Sequence, residues 1–172
     1  MTCIVGIEHK GKVWMGGDSA GTNSIMNQTI RDDKKVFING DFIIGFCGSF
    51  RMGQLLNYTL KPPVHPEGKL DMEYMVGDFM DAVKKCLDVG EKGLEPNFLC
   101  GYRGKLYEIE GDYQVGIPKN GFAAIGSGGD LATGSMHASK KVRSPKKRIL
   151  AALEAAEAGN AAVRAPFIIL NK

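Results

Sequence analysis

The order of the predicted elements points to an α+β fold, a four-layer αββα sandwich of two antiparallel sheets between two helix layers. Three observations lead there. Short β-rich runs with Gly-containing turns fill the stretch before residue 48 and again 97–125. Helical periodicity is confined to two blocks, roughly 51–87 and 130–158. Strands and helices therefore come in groups, whereas a doubly wound parallel sheet needs strict alternation.

The chain opens with β-rich runs over 2–8 and 12–17, turned at His9-Lys10-Gly11 into a hairpin. A second pair, 34–38 and 41–47, flanks Asn39-Gly40, the strongest short hairpin signal. Four strands thus precede the first helix, predicted over 51–60 and stopped by Pro62-Pro63. A second helix begins near Asp71. Its apolar residues Met72, Met75, Val76, Phe79, Met80, Val83, Cys86 and Leu87 fall on a single amphipathic stripe. Strands return at 97–102, 105–110 and 122–125, followed by a helix over 130–139. Ser144 as N-cap and Pro145 at the first helical position open a helix that runs to about Ala158, where Gly159 ends it. A strand over 165–170 closes the chain.

With 172 residues, 44% of them hydrophobic and 24% charged, the chain matches one globular domain over 1–172, with no repeat or linker to divide it. A formal charge of +3 is too small to make nucleic acid a default partner, and no apolar run is long enough to span a membrane. Cys3, Cys47, Cys86 and Cys100 lie far apart without a Cys-x-x-Cys pair or a preceding secretory signal, which reads as reduced thiols of a cytoplasmic protein. His9, His65 and His137 lack metal-ligand spacing, so neither metal nor cofactor is implied. The six basic residues within 140–148 read as a solvated helix start rather than a nucleic-acid surface.

Chemistry starts at the chain's second residue. Removing Met1, which methionine aminopeptidase does before small residues, would leave Thr2 with a hydroxyl and a primary amine on one residue. The amine, with an ordinary pKa of about 7.7–8.0, can take the hydroxyl proton near neutral pH. A chain retaining Met1 would have an amide there and no such base.

Thr2, the strand ending Gly16-Gly17-Asp18, the run Lys34-Lys35-Val36, Gly45-Phe46-Cys47-Gly48 and the loop Ile125-Gly126-Ser127-Gly128-Gly129 before a helix together resemble a proteasome β-type subunit. The loop is similar to that of the bacterial HslV type of this N-terminal nucleophile hydrolase family, whose short chain also matches this length better than eukaryotic β subunits do. The resemblance implies Thr2 as nucleophile, Asp18 as the acid that holds a lysine beside it, and a lysine ammonium favouring the deprotonated hydroxyl and amine. Lys35 is preferred because it precedes the apolar strand, while direct counting from Thr2 selects Lys34. Gly48 matches the glycine whose N–H faces the developing oxyanion. Ser127 matches the serine bonded to the Thr2 amine. Asn160 stands where the family usually carries an aspartate, and an amide can orient Ser127 but brings no negative charge. Phe46 and Phe50 would flank the pocket for the residue before the scissile bond, and Thr22 would pair with extended substrate backbone.

By the same resemblance the chain is expected to be a threonine peptidase cutting polypeptides through an acyl-enzyme. Its copies would stack in rings enclosing the sites, fed by an ATP-dependent unfoldase. Two alternatives stand beside this reading: a non-catalytic ring scaffold, consistent with Asn160, and an amidase acting on a small molecule.

Overall fold

The computed structural model describes residues 2–23, 25, 27–89 and 93–172. The first hairpin is β1 (Ile4–His9) and β2 (Lys12–Gly17), in register Ile4↔Gly17. After them come β3 (Ala20–Thr22), β4 (Gln28–Ile30), β5 (Val36–Asn39), β6 (Phe42–Phe46) and helix α1 (Phe50–Tyr58). Next lie α2 (Asp71–Tyr74), a π-helical turn (Met75–Phe79) and α3 (Met80–Leu87). The second half holds β7 (Phe98–Tyr102), β8 (Lys105–Ile109), β9 (Val115–Gly116), β10 (Phe122–Ile125), α4 (Gly129–Ala138), α5 (Pro145–Gly159) and β11 (Ile168–Asn171).

All strand pairs are antiparallel. One sheet runs β10-β1-β2-β11, the other β5-β6-β7-β8-β9, and β3-β4 form a separate ribbon. Side-chain alternation along the strands builds the layers. In β6, Ile43 joins Ile4, Met15, Val36, Leu99 and Leu106 between the sheets, whereas its neighbour Ile44 joins Phe79, Val83, Leu55 and Leu56 under α1 to α3. In β1, Ile4 faces the other sheet and Val5 faces Met136, Ile149 and Leu153 of the α4–α5 layer, with Val163 of the loop after α5. The order helix, sheet, sheet, helix is that of the predicted αββα sandwich. Each such buried side chain contributes about 1.5–3 kcal/mol, against about 0–1 kcal/mol for exposed pairs such as Arg103–Asp71. The three apolar layers hold the fold.

The structure departs from the sequence prediction in four places. Among the described residues six strands, not four, precede α1: Ala20-Gly21-Thr22 and Gln28-Thr29-Ile30 are too short and too polar to show apolar alternation. Likewise β9 has only two residues. The turn between β5 and β6 is Gly40-Asp41, because Asn39 pairs with Phe42 and its side-chain amide instead donates to the carbonyls of Leu56 and Leu60 at the end of α1. Finally, the second helix does not present one stripe. Its π-helical turn inserts an extra residue, so Tyr74 and Met75 both point inward while Met72 and Val76 are exposed.

Candidate active site

Five segment ends meet at one end of the sandwich: the start of β1, the end of β2, the approach to β5, the exit of β6 and the loop after β10. Asp18 follows β2 because its register with β1 brings the strand end beside residue 3. The backbone closes this junction, with Asp18 N–H donating to the Cys3 carbonyl at 3.3 Å. The Asp18 carboxylate is buried and fully engaged. Its Oδ1 accepts from Cys3 N–H and from Lys35 Nζ, at 3.0 and 2.9 Å. Its Oδ2 accepts from Ala20 N–H at 3.0 Å and Arg164 N–H at 3.4 Å. One oxygen therefore ties the Lys35 ammonium to the peptide that joins Thr2 to Cys3.

Pairing places Lys35 inside. Phe46 N–H donates to the Lys35 carbonyl, so the chain is already extended against β6 there, and successive side chains point to opposite faces. Lys34 is exposed, whereas Lys35 is 2% exposed and its ion pair with Asp18 is shielded from water on both sides. Burial pulls the Lys35 ammonium below its ordinary pKa, and Asp18 opposes that pull. The neighbouring thiols are silenced: burial lifts Cys47 to about 11, and burial with Asp18 lifts Cys3 to about 12.

Thr2 is buried at the start of this cluster. Its backbone nitrogen donates to Ser127 Oγ at 3.2 Å, and its carbonyl accepts from Gly128 N–H at 3.2 Å. The loop can come this close because residue 126 is glycine: with φ +91°, a Cβ there would fall 2.3 Å from the Thr2 carbonyl oxygen. Gly48, at φ +85°, would have no atom within 4 Å of an added Cβ, so its backbone borders open space. It lies just before the positive end of α1, which carries no acid in its first turn and whose N-cap Ser49 accepts from Met52 N–H at 3.2 Å.

Thr22 and Phe50 line one groove of about 200 Å³ together with Gly21, Asn23, Asn27, Thr29 and Arg31. Phe46 lies deeper. Its ring sits against Gly53 of α1 and meets Phe50 edge-on, with centroids 5.7 Å apart. Together with Phe50 it lines a narrow second depression of about 20 Å³ beside Asp33, Lys34 and Tyr58. The Phe50 ring links the groove to the buried lysine, with Arg31 Cζ 4.0 Å from its centroid and Lys35 Nζ 5.8 Å. Asp33 holds the Arg31 guanidinium by two hydrogen bonds of 2.6 Å.

Sequence reasoning named Asn160 but missed the rest of the loop that gathers these parts. Asn160 reaches Ser127, Arg164 N–H reaches Asp18, and the Arg164 carbonyl accepts from Ser19 N–H at 3.0 Å. Gln28 of β4 donates to the Ala161 carbonyl at 2.7 Å and accepts from Arg164 Nε at 3.3 Å. One segment, 160–164, thereby touches the serine loop, the acid and the ribbon that carries Thr22. Nothing local in the sequence signals contacts across 133 and 136 residues. Among the described residues no cluster of His, Cys, Asp and Glu could hold a metal, and no helix is long and apolar enough to cross a membrane. Met1, on which the availability of the amine turns, lies outside the described residues.

No family model matches the chain. It is 30% identical over 148 residues to the ATP-dependent protease subunit HslV of Pediococcus pentosaceus, covering 81% of this chain and 76% of that protein. It is 32% identical over 138 residues to HslV of Aquifex aeolicus, covering 76% and 73%. Among solved structures, Thiobacillus denitrificans BPH in complex with epoxomicin superposes with a TM-score of 0.81 at 15% identity, covering 99% and 98% of the two chains. That last likeness bears on the fold alone.

Proposed function

The chain belongs to the HslV family of ATP-dependent protease subunits, and on that premise we propose that its threonine peptidase chemistry is carried by Thr2, Lys35, Asp18, Gly48 and Ser127. The observation that supports this most is the buried Asp18 oxygen shared between Lys35 Nζ and Cys3 N–H, next to a Thr2 nitrogen bonded to Ser127. Burying an ammonium is costly even when it is paired, and its place one peptide from a threonine gives the Lys35 charge a chemical use beside the nucleophile.

With Met1 removed, the Thr2 amine takes the hydroxyl proton as Oγ attacks the scissile carbonyl carbon. Lys35 keeps its ammonium beside the developing alkoxide. Gly48 N–H receives the oxyanion, a donor worth roughly 10²–10³ in rate. The proton passes to the leaving nitrogen as the C–N bond breaks, and water, deprotonated by the same amine, hydrolyses the ester on Thr2. The groove of Thr22 and Phe50 holds the substrate strand. We read the protein as one domain acting in the cytoplasm, consistent with four unpaired thiols, on unfolded polypeptides. Its copies stack in rings that seclude the sites, fed by an ATP-dependent unfoldase, a reading supported by the relatives' being ATP-dependent protease subunits.

The test is the intact mass of the purified protein before and after a peptide epoxyketone, which adds only where amine and hydroxyl sit on one residue. One inhibitor per chain is the expected result. A chain already lacking Met1 that gains no mass would overturn the reading and leave the scaffold.

A further inference from the structure

Asn160 is the C-cap of α5, and both halves of its amide are committed. Nδ2 donates to the Ser127 carbonyl at 2.7 Å, and Oδ1 accepts from Ala162 N–H at 2.9 Å. The partners fix the orientation: a flipped amide would set oxygen against carbonyl and N–H against N–H. A carboxylate only accepts, so it could keep the Ala162 bond but not the one to Ser127. The Ser127 carbonyl belongs to the peptide before Gly128, whose N–H bonds the Thr2 carbonyl, while Ser127 Oγ accepts from the Thr2 nitrogen. Asn160 is thus one hydrogen bond removed from both ends of the nucleophile.

We propose that Asn160 is a positioning residue whose amide N–H, a donor that an aspartate lacks, sets Ser127 and Gly128 against Thr2. The asparagine is then no relic of a lost charge. It is a different device, in which the serine loop is braced through its backbone, and the only carboxylate in the described cluster around Thr2 is Asp18, already shared by Lys35 and three peptide N–H groups. This inference rests on the peptidase reading for its kinetic consequence and on geometry alone for its structural one.

Asn160→Asp places an oxygen where the donor was, about 2.7 Å from the Ser127 carbonyl, and pushes the loop off Thr2. Asn160→Ala removes the brace without repulsion and admits water. Asparagine 160 does not line the groove of Thr22 and Phe50, so the loss should fall on kcat: about tenfold or more for the aspartate and less for the alanine, with KM held within about twofold. Hydrogen exchange of the Gly128 amide is followed in the same three proteins, and it should quicken in Asn160→Asp whether or not peptide is cleaved. An aspartate variant with native kcat, a loss confined to KM, or unchanged Gly128 exchange would each overturn the brace. A native protein that neither cleaves peptide nor takes up epoxyketone, yet shows the exchange pattern, would overturn the peptidase reading and leave the brace standing.

Discussion

Thr2→Ala is expected to lower peptide hydrolysis by at least about 10³-fold while the protein folds and assembles as before. The expected size follows from what is removed. Without Oγ no acyl-enzyme forms, and removal of a nucleophile that works as a unit with its base typically leaves only residual catalysis from binding and the oxyanion site. The fold should tolerate the change because residue 2 is anchored through its backbone, by Ser127 Oγ on its nitrogen and Gly128 N–H on its carbonyl. Alanine keeps both. Purified variant and native protein should share a melting temperature within a few degrees and sediment alike, while fluorogenic peptide cleavage disappears. Hydrolysis surviving in the variant would mean that the chemistry resides elsewhere.

How much of this was legible in the chain differs by element. The β1–β2 hairpin, the N-cap at Ser144 with Pro145, and the strand of β10 running into Gly126-Ser127 were readable because their signals are local. Asp18 and Ser127 could be named only through the spacing shared with a family, since each is an ordinary turn residue by itself. The choice between Lys34 and Lys35 was a matter of strand parity, and parity is set by a partner: the bond from Phe46 N–H to the Lys35 carbonyl turns one lysine inward and the other out. Ribbon β3–β4 escaped notice because three residues of Ala-Gly-Thr carry no period. The π-helical turn escaped because the same apolar residues suit an unbroken helix, and only packing reveals that Val76 faces out. Arg31 on Phe50 and Gln28 on the 160–164 loop are contacts made by the closing of the fold.

Lys35→Met separates fold from chemistry along the other large effect. The ammonium and the Asp18 carboxylate are 1% and 0% exposed, and breaking a buried pair by removing one partner costs about 3–5 kcal/mol, because the remaining charge stays buried. The lower end applies here, as Asp18 keeps N–H donors from Cys3, Ala20 and Arg164. Denaturant titration should therefore show a loss near 3 kcal/mol, and hydrolysis should fall by about 10²–10⁴ under conditions where the variant is folded. Asp18→Asn makes the complementary test through pH. Burial drives the Lys35 pKa down and Asp18 drives it up, so the native value lies below the ordinary one but is supported. Take the carboxylate's charge away and burial acts with less opposition: the ammonium then loses its proton at a lower pH. If activity needs that charge beside Thr2, the alkaline limb of the pH–rate profile moves to lower pH in Asp18→Asn, in the direction set by desolvation. A limb that stays in place while the rate drops uniformly would make the pair a structural strut, and the positive field at Thr2 would have to come from α1 instead.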